Sequence, residues 1–494
     1  MSTTKTKQIQ KKMLDGEITL PQALILFSEN GDTFNVESLL NLGVNINFSN
    51  SKGMTALCYA TYNKHMETMR LLISRGAKLQ SKHISTCPLV LAAATCNLEA
   101  FQMVYAAYPD KETIGQETLN ESLKAVIENS NPYKQDTDIV TPLTEFILDC
   151  GAQVNIPSEN ILLTAIKKQT VDTVRLLLTR GANINTCETY NNPLPLHLAI
   201  LSKNPAMVEL LLEFGTDPNQ GKKIMPLNLA IKLGNITIFR QLLAAGADIT
   251  LGPTVTNIKT YNMETPLHTA VICGNLIIVN EILANSGHLI DLETKAGVHN
   301  RTVLKEAIGS RNLMIVRRLI EAGASISGMM ILAALEGNQN IVDALLEAGA
   351  DIDEPNNYGY TALEYCVRHN TLEMVKELLT RGANIHRVNK DGDTVLHIIA
   401  ESKSNRDEML KYVVAKGADL ESTNSHGQTA LHLAVLADNL QTVKNLLELG
   451  SNLEHTDNEG KTIFDKLQKI YRPEIEDECY RWKDMSNESN TNDK

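Results

Sequence analysis

Twelve histidines and eight cysteines are the residues of this chain best suited to metal ligation or nucleophilic catalysis, so their spacing decides whether either chemistry is open to it. His197, His268, His397 and His432 share the fourth position of a recurring motif of the type Thr-Pro-Leu-His. A position repeated in this way points to a structural hydrogen bond at a helix start rather than to a site. The other eight histidines are scattered. No HExxH, no phosphate-cradling GxxxxGK[ST] and no dinucleotide GxGxxG is present, and neither GxSxG nor the kinase signature set occurs. The cysteines, at 58, 87, 96, 150, 187, 273, 366 and 479, contain no CxxC pair and no zinc-finger spacing. Cys58, Cys87, Cys273 and Cys366 fall in apolar segments, where a thiol serves as a small buried hydrophobe. We therefore assign no catalytic residue, no metal ligand and no cofactor, and the chain is expected not to be an enzyme. The alternative is an enzyme with an unrecognised active site built in the irregular units, chiefly 109–142, from residues that converge only in space.

The charge balance narrows the partners. With 46 basic against 58 acidic side chains, the net charge of −12 argues against a phosphate-backbone binder, which needs a basic surface to displace counterions. Asp15 and Glu17 interrupt the apolar run that follows the N-terminal lysines, so a cleaved signal peptide is not expected. The longest apolar runs, such as Leu89 to Ala94, are too short to cross a bilayer. Unpaired cysteines fit a reducing compartment. The expectation is a soluble, intracellular, cytoplasmic protein.

What would position any functional residue is a repeat. A leucine-rich segment ending in Gly-Ala or a near variant recurs at Gly43, Gly76, Gly151, Gly181, Gly215, Gly246, Gly287, Gly323, Gly349, Gly382, Gly417 and Gly450, with several gaps of 33 residues. Upstream of each lies a start marker, as in Thr55-Ala-Leu-Cys58, Thr265-Pro-Leu-His268, Thr361-Ala-Leu-Glu364, Thr394-Val-Leu-His397 and Thr429-Ala-Leu-His432, with Asn192-Pro-Leu and Met225-Pro-Leu as variants. Threonine caps a helix and proline is preset for its first turn. The downstream segments, such as Val174 to Leu178 and Val375 to Leu379, carry apolar residues at helical spacing, and the glycine ends the helix. Each unit is thus a pair of helices. The polar stretches between units, such as 384–392, 419–427 and 452–460, are rich in the Asn, Asp and Gly of tight reversals.

The succession Gly-Ala-Asp-Ile-Asn, turn glycine, Thr-Pro-Leu-His and Gly-Asn before a Leu-Leu helix resembles the ankyrin repeat family, over nearly the whole chain. The resemblance implies an all-α repeat fold, an ankyrin-type α-solenoid of helix-turn-helix units joined by β-hairpin-like fingers. About thirteen units and a terminal cap are expected over residues 18–473. Residues 1–17 form a basic polar N-terminal tail whose first dozen residues are expected to be disordered, and 474–494 an acidic and polar C-terminal tail. The irregular unit at 109–142 is read as a first helix Gln116 to Glu128, an enlarged loop and a second helix Val140 to Asp149; Leu251 to Thr260 lengthens one finger, and Ser325 to Gly328 nearly deletes another.

The resemblance further implies a non-catalytic scaffold or adaptor that binds a protein partner, as a monomer, on the face made by finger tips and first helices, without nucleic acid or membrane insertion. The residues assigned to that face are Tyr190, Lys222, Lys223, Tyr261, Asn357, Tyr358, Arg368, His369, Lys390 and His426. Tyrosine at a tip offers large contact area at small entropic cost. The acidic run at 474–478 and its polar continuation are similar to the translocation tails of ankyrin effectors delivered into host cells, which would place the chain in a host cytoplasm.

Overall fold

The computed structural model describes residues 4–81, 83–130, 137–156, 160–185, 194–221, 224–250, 264–286, 289–296, 301–470 and 472–492. The chain divides into two units, Met1–Asp248 and Ile249–Lys494. In the first, the helix Thr4–Leu14 precedes seven helix pairs, from Leu20–Glu29 with Thr33–Asn41 to Pro226–Lys232 with Ile236–Ala244. The second holds seven pairs among its described residues, from Pro266–Ile272 with Leu276–Ser286 to Ile463–Ile470 with Pro473–Asn492. No strand forms among the described residues; the fingers contribute only the isolated bridges Ser49 to Thr55 and Ala296 to Arg301.

Within each unit the first, inner helix of a pair packs on the inner helix of the next pair. Short inner helices of seven residues can stack closely where the sixth position, counted from the capping residue, is small; Val395–Glu401 is an exception, with Ile399 there. Ala199, Ala230, Ala270, Ala307, Ala333 and Ala434 all stand there with no exposure, and Cys366 takes the same place. Burial raises the Cys366 pKa to about 11, which keeps it a thiol. Cys273, by contrast, ends its helix and is exposed, so the expectation of a buried hydrophobe fails there. The start marker at 192 is also corrected. Leu194 caps that helix and Pro195 opens it, two residues later than Asn192-Pro193 implies.

The fingers are ordered by side-chain carboxyl and amide oxygens. At each tip one Asn or Asp accepts two backbone N–H groups, as Asn389 Oδ1 does from Asp391 (2.8 Å) and Asp393 (2.9 Å) and Asn424 Oδ1 from His426 (3.0 Å) and Gln428 (3.1 Å). At each base a second oxygen reaches the next finger. Asn47 Oδ1 accepts from Lys78 N–H at 2.8 Å in the first unit, and Glu421 Oε1 from Asn452 N–H at 2.8 Å in the second. The tips themselves touch: Ser425 N–H donates to Asp391 O at 3.0 Å, and Asn458 N–H to His426 O at 3.1 Å. A Cβ at Gly392 would lie 2.7 Å from Ser425 N, and φ there is +77°, so glycine is required twice over.

The irregular regions follow the sequence in part. Gln116–Glu128 is a helix, its partner runs Thr137–Asp149, and Met329 opens a helix directly after Gly328. The lengthened finger at 251–260 lies outside the described residues. Both tails need correction. The N-terminal segment expected to be disordered forms Thr4–Leu14, buries Ile9 and Thr6, and ties Thr6 Oγ1 to Asp32 at 2.8 Å. The C-terminal tail forms the outer helix of a complete last pair. It buries Ile475 and Cys479, sets Tyr480 against Phe464 at 5.1 Å, and places Lys483 over that same ring. Ile475, Cys479 and Trp482 stand at i, i+4 and i+7, the spacing of one helix face.

Two stability predictions follow from this packing. Asn389→Ala should cost about 1–3 kcal/mol in urea unfolding, because two backbone donors lose their acceptor, whereas Asn357→Ala, exposed at the neighbouring tip, should change the midpoint little. Ile475→Ala should loosen the last helix before the rest by about 2–5 kcal/mol. Emission from Trp482, the single tryptophan, should then shift at a lower urea concentration than the far-ultraviolet signal; coincident transitions would show that the helix is not a separately loosened cap.

Candidate protein-docking surface

The fourth-position histidines hold the stack together. In His397, Nδ1 accepts from Thr394 N–H at 3.1 Å and from its hydroxyl at 2.8 Å, which leaves the ring proton on Nε2; that atom donates to Gln428 O of the next finger at 2.8 Å. His268 makes the same pair of contacts to Thr265 (2.8 Å) and Arg301 O (3.1 Å), and His197 Nε2 reaches Ile224 O at 2.8 Å. His432 keeps its Thr429 contacts, while its enclosed Nε2 makes no hydrogen bond among the described residues. Burial lowers the pKa of all four, and for His432 the nearby Lys466 and His455 bring it to about 4.

At Thr361-Ala-Leu-Glu364 a carboxyl replaces the imidazole. Glu364 Oε2 accepts from Thr361 N–H at 2.6 Å, closing a capping box, but Oε1 is buried without a partner. Burial raises the Glu364 pKa. Where Gln428 O accepts both Asn424 N–H and a histidine, the equivalent Asp393 O accepts only Asn389 N–H. Here the cross-repeat bridge is missing.

The surface above Glu364 carries an aromatic and cationic cluster. Tyr360 leaves the finger, and its hydroxyl accepts from Arg368 Nη1 at 3.1 Å, with the guanidinium 5.6 Å from the ring centroid. Tyr365 stands edge-on to Tyr360 at 5.8 Å and stacks on His369 at 6.0 Å with 11° between planes. Tyr365, Arg368 and His369 lie at i, i+3 and i+4 of one helix end, so they share a face. From the next pair, Arg406 donates to Val367 O and Arg368 O, each at 2.7 Å, and closes the C-terminus of the helix Ala362–Arg368. Beside it on the tips, the Lys390 ammonium donates to Asn357 O, and Tyr358 is 70% exposed.

Of the residues expected on this face, Tyr190, Lys222, Lys223 and Tyr261 lie outside the described residues. Arg368 and His369 join one cluster, Asn357 and Lys390 meet at adjacent tips, and Tyr358 and His426 are exposed on the tip row. Tyr360 and Tyr365 escaped the sequence reading. Their signal was available: three of the chain's 13 tyrosines fall within 358–365. The acidic residues 474–478 are no free tail either, since Glu478 pairs with Lys444 and accepts from Trp482 Nε1 at 3.1 Å.

A family model described as ankyrin repeats, three copies, matches residues 21–113, 133–222, 227–329, 327–389 and 365–457. The chain belongs to the ankyrin repeat family. It is 25% identical over 372 residues to the ankyrin repeat domain-containing protein SAT10 of Stachybotrys chartarum, across 74% of this chain and 18% of that protein. To the B-cell lymphoma 3 protein homolog of Mus musculus it is 29% identical over 184 residues, across 35% of this chain and 40% of that one. The crystal structure of the Bcl-3 ankyrin repeat domain, 29% identical, covers 40% of this chain and 92% of that domain with a TM-score of 0.37. The chain thus spans less than half of either curated relative. No described helix is long and apolar enough to cross a membrane.

The histidine bridges predict a pH dependence. An unfolded histidine titrates near 6.5, the buried ones lower, so below about 6.5 the unfolded chain binds protons that the folded chain refuses and stability falls with pH. The urea midpoint should therefore hold steady from pH 8 to 7 and decline between pH 6.5 and 4, and His432→Gln should flatten part of that slope; an unchanged slope would contradict the assignment. Glu364→His should restore a donor toward Asp393 O and raise stability at pH 7 by about 1 kcal/mol, read as a higher urea midpoint.

Proposed function

We propose that this ankyrin protein is a non-catalytic scaffold or adaptor, acting as a monomer inside the cell, that docks a protein partner on the inner helices and finger tips of residues 356–436. The observation that carries this reading is the contrast between faces. Nine described arginines pair with carboxylates, most of them across neighbouring outer helices, as Arg75 does with Glu37 and Arg381 with Asp343. The inner face keeps Tyr358, Tyr360, Tyr365, Arg368 and His369 without such partners, and Tyr and Arg are the side chains that dominate binding energy at protein interfaces. The seven described cysteines form no disulfide with one another, which supports a reducing compartment.

A photoreactive benzoylphenylalanine placed at Tyr358 or Tyr365 of the full chain should crosslink a protein partner in a eukaryotic lysate, whereas the same group at the outer-helix position Arg317 should not. Equal adducts from position 317, or none from 358 and 365, would overturn the docking face.

A further inference from the structure

Arg406 binds the backbone carbonyl of Arg368, and the two cations share this helix end without a counter-charge among the described residues. Neither has a carboxylate within ion-pair distance among the described residues, and the Arg406 pKa is lowered by burial and by the charge of Arg368. Each is nevertheless held in place. Arg406 is fixed by two helix carbonyls and by Ser404, whose hydroxyl oxygen accepts from its Nε at 3.2 Å. Arg368 is fixed through Nη1 on Tyr360. The loop that carries Arg406 is unusual for this stack: five residues, 402–406, separate the helices Val395–Glu401 and Asp407–Ala415, where three separate Ala362–Arg368 from Leu372–Thr380. The longer loop is what returns a guanidinium to the neighbouring helix end. Glu401, the nearest acidic residue of the inner helix Val395–Glu401, is exposed and pairs with neither arginine.

Resting on the docking reading above, we propose that Arg368 and Arg406 form the anion subsite of the groove, and that the partner presents a glutamate or aspartate carboxylate to it from an extended peptide segment. Donor supply favours a carboxylate. Arg406 has already committed three N–H groups to Ser404, Val367 and Arg368, whereas Arg368 keeps its Nε and Nη2 edge open. One open edge matches the two oxygens of a carboxylate in the bidentate geometry. The flanks are apolar. Leu332 and Leu335 on the preceding inner helix, and Leu433 and Leu436 two helices further on, occupy the same positions as Tyr365 and Arg368 and are partly exposed. With packed helices about 8–10 Å apart and an extended strand rising about 3.3 Å per residue, an apolar side chain belongs about three residues to one side of the acid and another about six to the other.

The test selects phage-displayed random twelve-residue peptides on the full-length chain and on its Arg368→Gln and Tyr365→Ala variants. Anisotropy titrations follow, with the selected peptide carrying Glu, Gln or phosphoserine at the acidic position. The wild-type chain should enrich one acidic position with apolar residues at that spacing. Glu-to-Gln in the peptide should weaken binding roughly tenfold on the wild-type chain, as expected for a hydrogen-bonded charge, and less than twofold on Arg368→Gln, whose melting temperature should match the wild type. The proposal is overturned if no acidic position is enriched, if the Gln penalty is equal on both chains, if phosphoserine binds more tightly than glutamate, or if no peptide is selected. Peptides that need Tyr365 but show no acidic preference would sink the anion subsite and leave the docking face standing. Peptides indifferent to both variants would sink the docking face itself.

Discussion

Everything in this chain depends on one constraint: a pair of helices this short can bury its apolar side only against the pair before and the pair after it. Isolated helices of seven to nine residues are unstable in water, and no residue far away in sequence comes back to help. Stability is therefore a sum of neighbour contacts. The fully buried small residue at the sixth position lets an inner helix approach the next, and the histidine of the fourth position carries a hydrogen bond across the same seam. Among the described residues, the first and last helices have a neighbouring pair on one side only. That is why Thr4–Leu14 and Pro473–Asn492 are helices although their sequences are polar: each covers an apolar seam that would otherwise face water, with Ile9 at one end and Ile475 and Cys479 at the other.

The same constraint explains which parts were legible from residues alone. Helix starts and ends are written locally, by Thr, Pro and a closing Gly, so the pairs and even the irregular helix Gln116–Glu128 could be read directly. The terminal helices could not, because their acidic and basic residues hide a single buried face whose value depends on a partner seam elsewhere. Cys273 shows the converse failure. An apolar neighbourhood in sequence suggested burial, yet the residue ends its helix and points away from the seam. The cluster of Tyr360, Tyr365, Arg368 and His369 was half legible, since Arg368 and His369 were picked out while the tyrosines that join them were passed over.

The break in the histidine pattern and the aromatic cluster coincide, and the coincidence has a physical consequence. Glu364 gives up the bridge to Asp393 O and leaves a buried oxygen unpartnered beneath Tyr360 and Tyr365. Local rules tend to be broken where another demand competes with stability. A carboxyl at this point, raised in pKa by burial, weakens the seam between the pairs that carry Tyr365 and Arg406. Those are the pairs on which the docking surface is built, so a seam without the histidine bridge lies under the residues best suited to contact a partner.

Specificity in such a molecule can be separated from folding because each of these finger tips is fixed chiefly by one Asn or Asp acceptor and the glycine of its turn. Asn356, Asn389, Asn424 and Asp457 each hold a reversal by accepting two N–H groups, and after the first three a glycine three residues on, Gly359, Gly392 or Gly427, lets the next finger approach. The two residues between, Asn357 and Tyr358, Lys390 and Asp391, Ser425 and His426, Asn458 and Glu459, contribute their backbones to the turn and expose their side chains. Lys390 and Asn458 also reach the preceding finger, donating to Asn357 O and Ser425 O. Substituting the other six side chains leaves the acceptors, the glycines and the seam untouched, so those six exposed positions are free to be set by whatever binds there, and a repeat signature cannot predict them.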